Sequence, residues 1–209
     1  MSLEDLVVLA DRIGIVAFAI SGVAVGIRRR MDVYGLLALG LTTAIGGGAV
    51  RDVLLGEVPR ALAQADYLLF ASAVSLLAIA AAWLGWRWPD PLLALADAVG
   101  TGAFAVTGAL LAYEADLPLP AAMVLAILTA TGGGVLRDLM ANRVPIVLRT
   151  ELNATAAAVG GFAAFVLAGR GEPLAAVVGA VLAAALSLIG HSGRGRLPRL
   201  GPRARTMER

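Results

Sequence analysis

The 209-residue chain has no cysteine, no lysine and a single histidine, and only 15% of its residues are charged. Without cysteine there is no disulfide framework, thiolate metal site or thiol redox centre. Charge this scarce, beside 59% hydrophobic residues, excludes a disordered chain. It also departs from a soluble domain, which carries about 25% charged residues. All 17 basic residues are Arg, and the formal net charge is only +2. The pI of about 9.7 invites a nucleic-acid reading, which a mean hydropathy of +0.85 contradicts; no nucleic-acid partner is expected. His191, the one histidine, reads as an interfacial residue rather than a metal or proton site.

What is present is apolar sequence in long runs. At roughly 20 residues per membrane span, the chain has room for about seven helices and little else. The runs predict helices over 6–27, 33–55, 65–86, 92–113, 119–141, 151–169 and 173–191, so the expected fold class is an all-α membrane protein. The breaks between them are short, which makes consecutive helices antiparallel neighbours. An acidic start, Met1-Ser2-Leu3-Glu4-Asp5, is unlike a cleaved signal peptide, and the first helix is expected to be retained. Twelve Arg fall on one side: 28–30, 87, 143, 149 and six in the tail, against Arg60 and Arg170 on the other. The positive-inside rule then places the C-terminus in the cytoplasm of a bacterial or archaeal inner membrane and the N-terminus outside. Trp83, Trp86 and Trp88 suit the inner interface. The domain division is a single transmembrane domain, 1–191, and a basic tail, 192–209, expected to be disordered. The tail reads either as an anchor of topology or as a binder of anionic lipid.

Compared with itself at an offset of 86 residues, the chain aligns 11–59 with 97–145 without a gap, with 16 of 49 positions identical. Asp11, Gly14, Ala17-Phe18-Ala19 and Gly22 recur as Asp97, Gly100, Ala103-Phe104-Ala105 and Gly108. Gly46-Gly47-Gly48, Arg51-Asp52 and Val58-Pro59 recur as Gly132-Gly133-Gly134, Arg137-Asp138 and Val144-Pro145. Three helices per unit is an odd number, so the second copy enters the membrane from the opposite side. The expected architecture is an inverted repeat, 6–86 and 92–169, plus a seventh helix over 173–191. Transport proteins use such repeats, with sites near the midplane on interrupted helices.

The glycine triplets admit two readings. They break the second and fifth helices, which persists at membrane depth only beside protein or a water-filled path. Alternatively they serve close helix packing. Gly22 to Gly26 and the small face Ala175, Ala176, Gly179, Ala180, Ala183 and Ala184 suit helix contacts too. One turn beyond each triplet stand charges that cost roughly 2.5–3.5 kcal/mol apiece on insertion scales and so need partners. Neighbours on a helix point about 100° apart, so Arg51 and Asp52 are not expected to satisfy each other. At 1.5 Å per residue Asp11 lies roughly 8 Å from its helix centre, near the depth of Arg51. The expected pairs are Asp11 with Arg51 and Asp97 with Arg137. They either set helix register or stand at the mouths of a path as gating charges. Ser21, Thr42, Thr43, Thr101, Thr107, Thr129 and Thr131 lie at mid-depth, and the repeat-matched Ser21, Thr43, Thr107 and Thr129 are the candidate lining hydroxyls. Bonding back to the preceding turn is their local alternative. No nucleophile–base pair, phosphate loop or metal-ligand cluster is evident, and neither enzymatic activity nor a cofactor is expected.

Two copies of Gly-Gly-Gly-x-x-Arg-Asp, each followed by Val-Pro, resemble the prokaryotic trimeric intracellular cation (TRIC) channels. The resemblance runs from about residue 6 to 191. It extends to the wider bacterial membrane group that includes glycine transporters. It implies a homotrimer in lipid, with a pore in each subunit passing potassium or sodium, held only transiently and with no resident metal. It also implies that the second and fifth helices kink at Gly46–Gly48 and Gly132–Gly134 and line that pore. Lysines tied to voltage response and lipid binding in animal members have no counterpart in this Lys-free chain. A carrier for a small solute such as glycine, and a structural or signalling scaffold, are the other readings.

Overall fold

The computed structural model describes residues 2–148 and 152–191; the basic tail and Arg149 lie outside the described residues. The helices are α1 (Leu3–Arg28), α2 (Val33–Leu54), α3 (Arg60–Ala63), α4 (Ala65–Trp83), α5 (Asp90–Glu114), α6 (Leu119–Met140), α7 (Asn153–Ala168) and α8 (Glu172–His191). The seven long helices match the seven apolar runs. The count becomes eight because the break at 56–64 contains the four-residue α3. Among the described residues, six helices are long and apolar enough to cross a membrane. Helix α7 has 16 residues, about 24 Å, and falls short of a hydrocarbon core of about 30 Å.

Local chemistry sets the helix ends. The Ser2 side chain accepts from Asp5 N–H while the Asp5 carboxylate accepts from Ser2 N–H, closing a capping box on α1. Asp32 caps α2 through Gly35 N–H at 2.7 Å. Pro89 and Pro118 precede α5 and α6, where a missing N–H costs nothing. The left-handed turn residues are Arg30, Gly56 and Gly85, and then Asp116, Asn142 and Gly171. Each of the second set stands 86 residues after its counterpart. The backbone duplication therefore continues through turns whose residues differ.

Contacts between the halves are reciprocal, which is the signature of a two-fold relation. A Cβ on Gly14 would meet the Phe104 ring at 2.8 Å, and one on Gly100 would meet the Phe18 ring at 2.6 Å. The two rings touch, with centroids 5.4 Å apart. The small face of α8 is used within the subunit: Gly179 lies against Gly160 of α7, and Ala180 against Gly102 of α5.

The expected break in the second and fifth helices is absent: α2 and α6 run as single α-helices through both triplets. The triplets are instead where these helices cross. A Cβ on Gly47 would fall inside the envelope of the Thr129 carbonyl oxygen, and one on Gly133 inside that of Thr43. Continuous hydrogen bonding and a backbone-to-backbone crossing satisfy the chain without unwinding. What glycine supplies is the absence of a side chain, and the close-packing reading describes this conformation.

Candidate functional site

Arg51 is 1% exposed and stands near the C-terminal end of α2. Its Nη1 donates to Asp11 at 2.7 Å and its Nη2 donates to the other Asp11 oxygen at 3.0 Å. Nη1 also donates to Thr107 Oγ1 of the opposite repeat at 2.8 Å. Its Nε donates to Asp52 at 2.9 Å. This last bond corrects the expectation that neighbours on a helix cannot pair. The long Arg side chain folds back along its own turn while its far end crosses to α1.

The second copy repeats the arrangement. Arg137 Nη1 donates to Asp97 at 3.0 and 3.2 Å and to Ser21 of the first repeat, and Nε donates to Asp138 at 2.9 Å. Each buried Arg thus has a partner on its own helix, one on the first helix of its repeat, and a hydroxyl from the other repeat. Such pairing offsets the cost of burying charge in a low-dielectric interior.

The Val-Pro element acquires a role here. Asp52 accepts from Arg60 N–H at 2.8 Å, and Asp138 accepts from Ile146 N–H at 2.9 Å. These N–H groups immediately follow Pro59 and Pro145, so each Asp ties the returning loop to its Arg. Loop charges join in. Arg60 stands 3.6 Å from Asp11, and Arg143 reaches Asp138 at 2.7 Å. They occupy different repeat positions, so the repeat comparison could not have found them.

The four matched hydroxyls divide into two kinds. Ser21 and Thr107 face the arginines, whereas Thr43 and Thr129 donate to Leu39 and Leu125 carbonyls one turn earlier. Thr43 and Thr129 also pack against Gly22 and Gly108. Thr107→Val is therefore expected to lower unfolding stability in detergent by about 1.5–3 kcal/mol, the scale of a hydrogen bond to a charged group. Thr43→Val should cost about 1 kcal/mol or less, because it removes only a local bond. Equal losses in the two variants would refute this division.

Two crevices open beside the networks, and their linings are repeats of one another. The first is bordered by Asp11, Ile15, Ile45, Arg51, Tyr67 and Phe104. The second is bordered by Asp97, Thr101, Thr131, Arg137, Asn153 and Phe18. Each therefore takes its phenylalanine from the opposite repeat. The crevices are separate, divided by the Phe18–Phe104 pair and the α2–α6 crossing. Wider vestibules of about 510 and 530 Å³ adjoin them at opposite ends of the bundle. Glu57 and Glu114 line the first, whereas their repeat counterparts Arg143 and Arg28 line the second. Phe18 and Phe104 had been visible only as repeated letters in Ala-Phe-Ala; their position on the axis between the crevices is a matter of tertiary structure.

A multi-pass helical membrane protein with twin buried arginine networks about a pseudo-two-fold axis is the class this geometry defines. A family model described as "Glycine transporter" matches twice, over residues 8–83 and 94–169, with the same offset of 86. A UPF0126 membrane protein of Deinococcus radiodurans is 42% identical over 175 residues, covering 82% of this chain and 81% of the relative. A crystal structure of a prokaryotic TRIC channel in 0.5 M KCl superposes with a TM-score of 0.84 at 32% identity, covering 91% of this chain and 98% of that one. The TRIC orthologue from Rhodobacter sphaeroides gives a TM-score of 0.81 at 33% identity, with 89% and 97% covered. The chain belongs to this family of bacterial membrane proteins, which joins the glycine-transporter model to the prokaryotic TRIC channels.

Proposed function

We propose that the protein is a monovalent-cation channel of the inner membrane, permeable to potassium, with one path in each subunit of a homotrimer. The observation that carries this reading is the pair of repeat-related crevices, which approach one α2–α6 crossing from opposite ends of the bundle. A path between them needs only a parting of two helices at their glycines. In this reading Gly46, Gly47, Gly48, Gly132, Gly133 and Gly134 form a hinge that bends when the path opens. The Asp11–Arg51–Asp52 and Asp97–Arg137–Asp138 networks gate its two mouths. An unpaired Arg repels cations, and its carboxylates neutralise it while ions pass. The N-terminus lies outside and the tail in the cytoplasm. Similarity to solved cation channels at 32–36% identity over about nine-tenths of the chain supports the reading.

One observation favours a second reading. Crevices that reach opposite faces and meet at a closed barrier also suit an alternating-access carrier, and the matching family model is described as a glycine transporter. Purified full-length protein in a planar bilayer separates the two. Discrete single-channel currents in potassium salt are expected. Saturable glycine counterflow without such currents would overturn the channel in favour of the carrier.

A further inference from the structure

The two crevices share a scaffold but not a chemistry. Where the first presents Ile15 and Ile45, the second presents Thr101 and Thr131. Thr101 Oγ1 donates to the Asp97 carbonyl at 2.8 Å and Thr131 Oγ1 donates to the Ile127 carbonyl at 2.7 Å. Both hydroxyl hydrogens are thereby engaged within their own helices. The oxygens keep their lone pairs, which are acceptors for a cation and not donors to an anion.

The carboxylates differ as well. Asp11 is gripped by two nitrogens of Arg51, is approached by Arg60, and has a side chain only 3% exposed. Asp97 is reached by a single nitrogen of Arg137, and its side chain is 15% exposed. Arg137 is also held by Asp138 and Ser21, so Asp97 can share its charge without leaving that guanidinium unpaired. In the second crevice the less tightly held carboxylate of Asp97, Thr101 one turn later on α5, and Thr131 from α6 border one space of about 30 Å³, beside Arg137 and an Asp138 already taken up by Arg137, Arg143 and Ile146 N–H. That is room for a small ion with at most a water beside it.

We propose that the crevice of the second repeat binds a partly dehydrated monovalent cation through Asp97, Thr101 and Thr131, and that its twin does not. One carboxylate already shared with Arg137 and two hydroxyls, in a space with room for at most one water, supply fewer oxygens than the six or more that a divalent ion takes. The repeat supplies two equivalent spaces, and two Ile-to-Thr differences together with the less tightly held carboxylate of Asp97 make one of them a site; two Thr beside the fully held Asp11 do not. The site deepens the channel reading and rests on it for a role in conduction; binding itself does not.

The test measures the thermal unfolding midpoint of the detergent-solubilised full chain as choline chloride is replaced by KCl at constant ionic strength. The wild-type midpoint is expected to rise. Thr101→Ile/Thr131→Ile, which copies the first crevice into the second, should weaken the apparent potassium affinity about tenfold or more. Ile15→Thr/Ile45→Thr should respond as wild type does. Should the double Ile variant fail to fold, Thr131→Val alone, at a half-buried position, reads the same loss. An unresponsive wild type, or a Thr-to-Ile variant that responds fully, overturns the site. Potassium stabilisation in a protein that carries no current would strike the channel reading and leave the site standing. Currents from a protein whose midpoint ignores potassium would do the reverse.

Discussion

Replacing Arg51 by Gln is expected to lower unfolding stability by about 3–5 kcal/mol, the cost of breaking a buried ion pair from one side. Asp11 is 2% exposed and would lose both of its close donors, and Thr107 would lose its cationic partner. The remaining approach of Arg60, at 3.6 Å, is too long to replace them. Asp11→Asn combined with Arg51→Gln should recover part of the loss, since no uncompensated charge is then left inside. Arg12→Gln is the control. Arg12 pairs with Asp66 and lies over the Tyr67 and Phe70 rings, with side-chain exposures of 29% and 60% across the ion pair. Its ionic contribution should be about 1 kcal/mol or less. Thermal or denaturant unfolding in detergent micelles measures all three. Equal losses in Arg51→Gln and Arg12→Gln would mean that the buried network does not hold the halves together.

Neighbouring glycines of one triplet should respond with opposite sign. Gly47→Ala forces α2 and α6 apart, because the new methyl meets the Thr129 carbonyl, and about 1–3 kcal/mol is expected for such overpacking. A backbone atom cannot turn aside as a flexible side chain can. Gly48→Ala places its methyl 3.6 Å from Arg51 Nη2, an ordinary contact, and should gain up to about 0.8–1.0 kcal/mol of helix propensity. Gly133→Ala and Gly134→Ala repeat the contrast, with the nearest atom to the latter at 3.8 Å. Currents from the same variants bear on the hinge. A stabilised Gly48→Ala protein is expected to open less often, because a stiffer α2 resists bending. Wild-type gating in a stabilised variant would remove the triplets from the opening motion and leave them as packing residues. If Gly47→Ala proves neutral, the crossing is looser than the geometry implies.

The sequence made the duplication legible because identity at a fixed offset needs no structure to be seen. It made the pairing of Asp11 with Arg51 and Asp97 with Arg137 legible through depth along the helices. It left the glycines open between a helix break and close packing. Helix propensity weighs a residue against its own neighbours in the chain, and it ranks Gly-Gly-Gly as a weak point. The deciding term was the approach of a second helix, which Gly47 and Gly133 allow and any side chain there obstructs. Arg51 with Asp52 was missed for a related reason. The angle between adjacent residues constrains Cβ directions, not the end of a side chain as long as Arg.

By itself, the sequence determined the solvent and the plan: apolar runs that demand helices in a bilayer, an odd number of helices per repeat, and charges whose burial requires partners. Only the tertiary structure decided which copy became chemically distinct. Ile15 against Thr101 and Ile45 against Thr131 are unremarked substitutions along the chain. They gain meaning because folding places each pair in matching crevices, beside one carboxylate held by two guanidinium nitrogens and one held by a single nitrogen and more exposed. Periodicity and depth are properties of one helix at a time. The crevices, the Phe18–Phe104 barrier and the backbone crossing depend on distances between helices, which are set when the two repeats pack against each other.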